Sequence, residues 1–366
     1  MSDTRTIRAA VLREAGAPLT VEQIRLRPLG PRDVRIGIEA ASVCHSDLSL
    51  ARGVLHQPLP AVLGHEAAGT IVEVGSEVTD RKEGDRVVLL WNPPCGECWH
   101  CGRGEPHLCE HAADRSAQPH GSDADGTDLF PGLATGAFAQ ETVLPAAATR
   151  LVPDELSFSQ AALLGCAVTT GVGAVWTTAG VQPGESVVVI GLGGVGLSAV
   201  QGARLAGAGS IIAIDREATK FDLARSLGAT DTLEAGPDAR KQVRALTGGR
   251  GADHALDCVG LAATIRDAYG MTRRGGRVTI VGIGGKDQKV EFSALELFHF
   301  ARTITGCVAG SLDPDRDLPR LYKHAVDGTL DLTALINRET DLHGIDAAFD
   351  DMAAGRVARV LVRPNA

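Results

Sequence analysis

The chain has 366 residues, a formal net charge of −9 and 44% hydrophobic residues, enough material for two or three domains with cores of their own. The acidic balance argues against a nucleic-acid partner, and no apolar run reaches the ~20 residues needed to span a bilayer. The opening Met1-Ser2-Asp3-Thr4-Arg5 lacks the basic and apolar parts of an export signal, so a cytoplasmic protein is expected. In that setting, eight cysteines point to metal ligation rather than a disulfide scaffold.

The first ~110 residues read mostly as short strands rich in β-branched residues and punctuated by Gly and Pro. They are predicted at Ile7–Leu12, Val21–Leu26, Val34–Ala40, Gly69–Val74 and Arg86–Leu90. A Cys/Gly-rich lobe follows from Cys95 to Cys109. His111–Asp128 is polar and reads as a surface loop without regular structure. From Ser186 the pattern changes. Ser186–Ile190 is an apolar strand run, then come a Gly-rich turn, a helix over Val195–Ala206, a strand at Ser210–Asp215 and a helix at Thr219–Leu227. Further strands are predicted near Ala255–Cys258 and Arg277–Val281. Alternating strands and helices imply a parallel sheet, an α/β arrangement. After about Gly310 the pattern is mixed, and the tail is expected to return to the first domain.

Gly191-Leu192-Gly193-Gly194-Val195-Gly196 lies between a predicted strand and a predicted helix. The first glycine suits a tight turn, Gly193 lets the backbone approach a pyrophosphate, and Gly196 allows close helix–sheet packing. Free N–H groups at the helix start favour phosphates. Asp215 follows 19 residues after Gly196, where a carboxylate binds ribose hydroxyls and repels a 2′-phosphate. NAD(H) is therefore expected over NADP(H), with the adjacent Arg216 softening the preference.

Cys95, Cys98, Cys101 and Cys109 are spaced C-x2-C-x2-C-x7-C. Four thiolates complete a tetrahedral zinc shell with no open position, so this site is structural; an iron–sulfur cluster is the competing reading. Cys44, His65 and Cys166 are far apart in sequence. Two thiolates and one imidazole make an incomplete shell that leaves a place for water or substrate, which is the composition of a catalytic zinc site. Two zinc ions per chain are expected.

These motifs together resemble those of the zinc-dependent medium-chain alcohol dehydrogenases over nearly the whole chain. The resemblance is carried by the 21-residue gap from Cys44 to His65, the Gly64-His65-Glu66 sequence, the four-cysteine lobe, Gly165-Cys166, and the glycine fingerprint with Asp215. It implies a GroES-like β-rich catalytic domain at 1–167 and 309–366, with the zinc lobe at 92–112, and a doubly wound Rossmann cofactor domain at 168–308. It also implies that Glu66 lies near the catalytic zinc and can ligate transiently, that Asp47 orients His65, and that Ser46 contacts the substrate oxygen and begins a proton relay. Lys220 would support the ribose beside Asp215, Arg359 would pair with the pyrophosphate, and Thr170 would line the nicotinamide site.

Many relatives carry Arg where His45 stands, so His45 is expected on the pyrophosphate. Many carry His where Ser49 stands, so the relay must finish through water or His45. Cys44-His45-Ser46-Asp47 is closer to the class III-like and bacterial branches, yet basic residues for a glutathione adduct are not evident in His111–Asp128. By position, Leu55, Trp91 and Phe138 resemble pocket residues, which suits primary alcohols with aromatic or medium-length groups. Thiol-adduct formaldehyde oxidation and a non-catalytic nucleotide-binding role are the alternatives. Glu296–Ser311 matches the segment that pairs across a dimer in relatives, so a homodimer is expected, with a tetramer as alternative.

Overall fold

A computed structural model describes residues 5–366; the Met1–Thr4 start read for an export signal lies outside the described residues. No described helix is long and apolar enough to cross a membrane. The chain forms two compact units. One comprises Met1–Ala167, Asp313–Gly328 and Ile336–Ala366; the other comprises Val168–Leu312 and Thr329–Leu335. The sequence reading ended the second unit at 308 and gave the whole tail to the first. The structure instead carries that unit to Leu312 and returns Thr329–Leu335 to it. The buried Gln201 side chain holds the returning segment by donating to Asp331 O (3.0 Å) and accepting from Asp331 N (2.7 Å). A two-sided amide clamp of this kind leaves no periodic signal in sequence.

The first unit is β-rich. Thr6–Leu12, Thr20–Leu26, Gly121–Ser122, Asp128–Pro131 and Ala61–Val62 close a small barrel, and a seven-stranded sheet is centred on Asp33–Ser42. Along that strand Val34, Ile36 and Ile38 alternate onto the core side, the period of two that a half-buried strand shows. Its neighbour Glu66–Val74 runs antiparallel with Ser42 opposite Glu66, and Arg359–Val362 runs antiparallel on the other side with Leu361 opposite Ser42. A Cβ at Gly69 would lie 2.0 Å from Gly37 O, so glycine is required for the two central strands to meet this closely. The strand predicted from Gly69 begins three residues earlier, at Glu66. That puts Glu66, and His65 just before it, at the end of the central sheet.

The expected irregular loop at His111–Asp128 is a correction. It contains a short 3-10 turn at Asp114–Ala117 and the strand Gly121–Ser122, and Asp128 starts another strand; these two strands close the barrel. Its polar residues are matched by distant partners, which a local reading cannot see. Arg13 Nη1 lies 2.8 Å from Asp123 Oδ2, and Arg115 donates through Nε to Ala134 O (3.0 Å) and through Nη2 to Val143 O. His120 is fully buried.

The second unit is a six-stranded, all-parallel sheet. Its order is Asp231–Glu234, Ser210–Asp215, Ser186–Ile190, Ala252–Asp257, Thr272–Ile280, Thr303–Gly306. Val187–Ile190 and Ile211–Asp215 are buried, as expected for strands covered by helices on both faces. The strand order reverses at Ser186–Ile190, so the fingerprint turn sits at a topological switch point, where open α/β sheets bind ligands.

Candidate metal and dinucleotide sites

The antiparallel registers bring the first metal cluster together. With Ser42 opposite both Glu66 and Leu361, Cys44 and His65, just beyond their strand ends, converge with Arg359, the first residue of its strand. Cys44 stands before the helix His45–Ala51, and Asp47 in its first turn ties the cluster together. One Asp47 oxygen accepts from Cys44 N (3.2 Å); the other accepts from Gly64 N (3.0 Å) and lies 2.9 Å from His65 Nδ1. A proton on Nδ1, donated to Asp47, leaves the Nε2 lone pair facing the cluster. His65 Nε2 is buried with no hydrogen-bond partner, and one ligand atom from each of Cys44, His65 and Cys166 lies within 4.8 Å of the others.

An orphaned imidazole nitrogen beside two buried cysteines that form no disulfide fits a zinc ion with one coordination place left over. The contact with the Cys166 thiol, against the cost of burial and with help from Arg359, holds Cys44 well below the usual thiol range; the same contact and burial push Cys166 up. Metal binding requires both sulfurs as thiolates.

Behind the cluster lies a buried ion pair. Arg359 Nε donates to Glu66 Oε1 (2.9 Å), Nη2 donates to Glu66 Oε2 (3.3 Å), and Nη2 also reaches Cys44 Sγ at 3.6 Å. Arg359 is 3% exposed. The sequence reading put Arg359 on the cofactor pyrophosphate; its guanidinium is found engaged with the metal cluster. Only the register of the strand Arg359–Val362 against Asp33–Ser42 could have revealed this, and register is not visible in one sequence. Ala167 N donates to Glu66 Oε2 (3.1 Å). Burial, opposed by Arg359, pushes Glu66 up to about 7.

Around the cluster, Ser46 is half-buried with Oγ 4.0 Å from Cys44 Sγ, His45 is exposed at the start of the same helix, and Ser49 is half-buried one turn on. The half-buried Trp91 presents its ring edge-on to His65, centroids 6.3 Å apart. Leu55 is half-buried against the core. Phe138 is a correction. It is fully buried in the core against Phe349, and its N donates to Leu63 O (2.9 Å), so it walls no open pocket. Backbone pairing on both sides of Gly64 draws it inward, and a Cβ at Gly64 would lie 2.6 Å from its ring.

The four-cysteine cluster is assembled within one lobe. Cys95, Cys98, Cys101 and Cys109 have their sulfurs within 4.8 Å of one another, and the Cys95–Cys101 and Cys98–Cys109 pairs are 4.0 Å apart. These are not disulfide lengths. Sulfurs about 2.3 Å from a common zinc at tetrahedral angles stand roughly 3.8 Å apart, so four thiolates fit a closed structural shell. Cys95 N and Cys98 N donate to Cys109 Sγ and Cys95 Sγ, both at 3.3 Å. Backbone N–H groups of Cys101 and Glu110 draw Cys98 down to about 6.

In the second unit the helix Gly194–Leu205 begins directly after Gly193. Gly191 has φ +91, which only glycine adopts without strain, and a Cβ at Gly196 would lie 1.7 Å from Gly191 O. A Cβ at Gly193 would meet nothing within 4 Å, leaving an open cradle in front of the amides of Gly194 and Val195. Asp215 closes the turn by accepting from Leu192 N (2.6 Å) and Glu217 N (2.9 Å), with Lys220 Nζ at 3.2 Å. Arg216 lies 3.4 Å from Glu217. Thr170 is nearly buried in the helix Ala167–Gly173.

Two family patterns match the chain: an alcohol dehydrogenase GroES-like domain over residues 30–154 and a zinc-binding dehydrogenase over residues 194–327. An S-(hydroxymethyl)glutathione dehydrogenase from Synechocystis sp. is 37% identical, covering 97% of this chain and 99% of its own. One from Escherichia coli O139:H28 is 38% identical over the same shares. Among solved structures, an alcohol dehydrogenase zinc-binding domain protein from Burkholderia ambifaria superposes with TM-score 0.93 at 34% identity, covering 99% of both chains. A benzyl alcohol dehydrogenase from Acinetobacter calcoaceticus gives TM-score 0.91 at 29% identity over 98% of this chain and 99% of its own.

Proposed function

The chain belongs to the zinc-dependent medium-chain alcohol dehydrogenases, with zinc and NAD as cofactors, and from that premise we propose that it interconverts primary alcohols and aldehydes bearing aromatic or medium-length groups. The observation that carries the substrate class is Trp91, a half-buried indole set edge-on to the metal-site imidazole, which offers an apolar aromatic wall beside the reacting group. The similarity to a benzyl alcohol dehydrogenase supports the same reading.

Cys44, His65 and Cys166 would hold a zinc ion, which would supply a Lewis acid for the substrate hydroxyl, and a bound NAD would supply the hydride acceptor. Asp47 fixes the His65 tautomer and locks both ligand segments in place. Ser46, small and beside Cys44, accepts the hydroxyl proton and passes it through water or His45. Gly191, Gly193, Gly194, Val195 and Gly196 cradle the pyrophosphate, Thr170 lines the nicotinamide site, and Asp215 with Lys220 holds the ribose. The Asp215 carboxylate at the ribose favours NAD over NADP, a preference that the exposed Arg216 beside it softens. The protein acts in the cytoplasm as a homodimer. Thr303–Gly306 is the edge strand of its sheet, and the nearby Leu295 and Phe298 are 73% and 84% exposed, an edge suited to cover by a second copy.

The second reading is S-(hydroxymethyl)glutathione oxidation, favoured by the names of relatives at 37–38% identity. Against it, the Arg115 guanidinium in the 111–128 segment is engaged with two backbone carbonyls, His111 is 3.0 Å from Asp114, and His120 is sealed inside. Neither Arg115 nor the two histidines of this segment offers an unengaged cation to an anionic tripeptide. A panel of benzyl alcohol, octanol, ethanol, and formaldehyde with and without glutathione, followed by NADH absorbance, separates the two. Highest kcat/KM on benzyl alcohol or octanol is expected. A rate from formaldehyde that depends on glutathione and exceeds them would overturn the proposal.

A further inference from the structure

The chain just before the core residue Phe138 follows an unusual path. Leu133 and Ala134 have φ +45 and +61, and Gly136 has φ +66. Two neighbouring side-chain-bearing residues stay in the left-handed region only where their surroundings impose it. Here the 111–128 segment and the strand Glu141–Pro145 do so. Arg115 Nε donates to Ala134 O (3.0 Å), and its Nη2 donates to Val143 O, so one guanidinium spans turn and strand. Thr142 Oγ1 donates to Thr135 O (2.8 Å), and Thr135 Oγ1 donates to Leu133 O (2.9 Å). The His120 ring lies against Gly136, where a Cβ would be 3.1 Å from Nε2.

This turn sits on the segment that ends in His65. Before the turn, Phe130 N donates to Pro60 O (2.9 Å). After it, Ala137 N donates to Gly64 O and Phe138 N to Leu63 O, both at 2.9 Å. Between the two, a Cβ at Gly132 would lie 2.9 Å from Leu63 Cα. The path of the turn therefore decides whether the second pairing can form. Gly64 is held on both sides, its N–H by Asp47 and its carbonyl by Ala137, and the next residue is His65.

We propose that Arg115 is a positioning residue: by holding the left-handed Leu133–Ala134 turn it keeps Ala137 and Phe138 paired to Leu63 and Gly64, and so fixes the place of the His65 imidazole. It acts through backbone carbonyls and touches no reacting atom. The proposal rests on His65 being a ligand of the three-residue metal centre.

The test uses the zinc-loaded protein with two readouts. One is hydrogen exchange, by mass spectrometry, of the peptide holding the Ala137 and Phe138 amides. The other is the rate at which zinc is lost to a chelator. Arg115→Met keeps much of the side chain's length and removes its donors. It is expected to speed that exchange by about tenfold or more, the effect of losing a buried hydrogen bond from a charged group. It is also expected to speed loss of one of the two zinc ions, with NADH binding as in the parent. Ala134→Gly removes the steric cost of φ +61. Arg115→Met with Ala134→Gly is therefore expected to return both rates to near the parental values. If Arg115→Met fails to fold, Arg115→Lys takes its place, since an ammonium lacks the fork that spans both carbonyls. Unchanged exchange in the single variant, or a gain undiminished in the double, overturns the brace. A gain spread evenly through the barrel in both variants would make Arg115 a general stabiliser and overturns it too. Faster exchange with unchanged zinc loss overturns the hold on His65. A parent that binds one zinc ion only would instead overturn the three-ligand metal centre.

Discussion

Asp47 ties together the two segments that carry Cys44 and His65. It is fully buried, and its two oxygens take three N–H groups from two ligand-bearing segments. Removing such a partner of a ligating imidazole lowers metal affinity about 10–100-fold. Asp47→Ala should therefore lose zinc from the three-ligand cluster on dialysis against a chelator that leaves the parent intact, with metal content read by mass spectrometry. The ligands themselves give a sharper result: Cys44→Ala or His65→Ala should abolish alcohol oxidation while NADH binding, followed by fluorescence, stays within about twofold of the parent, because the dinucleotide cradle is built from a different part of the chain. Asp47 was legible in the sequence because it lies three residues from Cys44. The contact of Arg359 with Glu66 was not legible, because the two are 293 residues apart and only strand pairing joins them.

At the level of elements, the fingerprint turn is a close-packed object. A methyl at Gly196 would lie 1.7 Å from Gly191 O, backbone that cannot move without opening the turn. Gly196→Ala should thus lose measurable NADH binding while retaining its full zinc content. The barrel segment at His120 gives a second test. Burial, aided by Arg115 and Arg27, pushes His120 down to about 3, and neither ring nitrogen has a partner. The folded-state pKa lies below the unfolded value of about 6.5, so the unfolded chain binds the proton first. The contribution is fully present above pH 6.5 and falls as pH drops from 6.5 toward 3, by up to roughly 1.4 kcal/mol per pH unit. His120→Gln should flatten the fall in denaturant midpoint between pH 6.5 and 5 relative to the parent; equal slopes would exclude His120 as its source. The sequence reading saw only a polar stretch here, because the partners that order it, Arg13 and the carbonyls of Ala134 and Val143, lie elsewhere in the chain.

For the whole molecule, the exposed Phe298 and Leu295 beside an unpaired sheet edge suit a symmetric association of two copies. If two copies pair at this edge as proposed, Phe298→Glu should lower the sedimenting mass in analytical ultracentrifugation relative to the parent, with each chain still carrying two zinc ions; equal masses would exclude this edge as the contact. What the sequence determined by itself was everything encoded locally. The C-x2-C-x2-C-x7-C lobe folds within 15 residues, the glycine fingerprint is a single turn whose steric needs are written in its residues, and the alternation of strand and helix runs announces a parallel sheet. The three-ligand set was legible only as three suggestive local settings and a resemblance. Tertiary structure decided the rest: that registers through Ser42 bring Cys44, Glu66 and Arg359 together, that Phe138 is core while Trp91 borders the site, and that Thr329–Leu335 returns to the second unit. The physical reason is common to all three. Strand register and burial are set by pairing between segments distant in the chain, and a one-residue slip would turn every side chain to the opposite face without changing the local sequence at all.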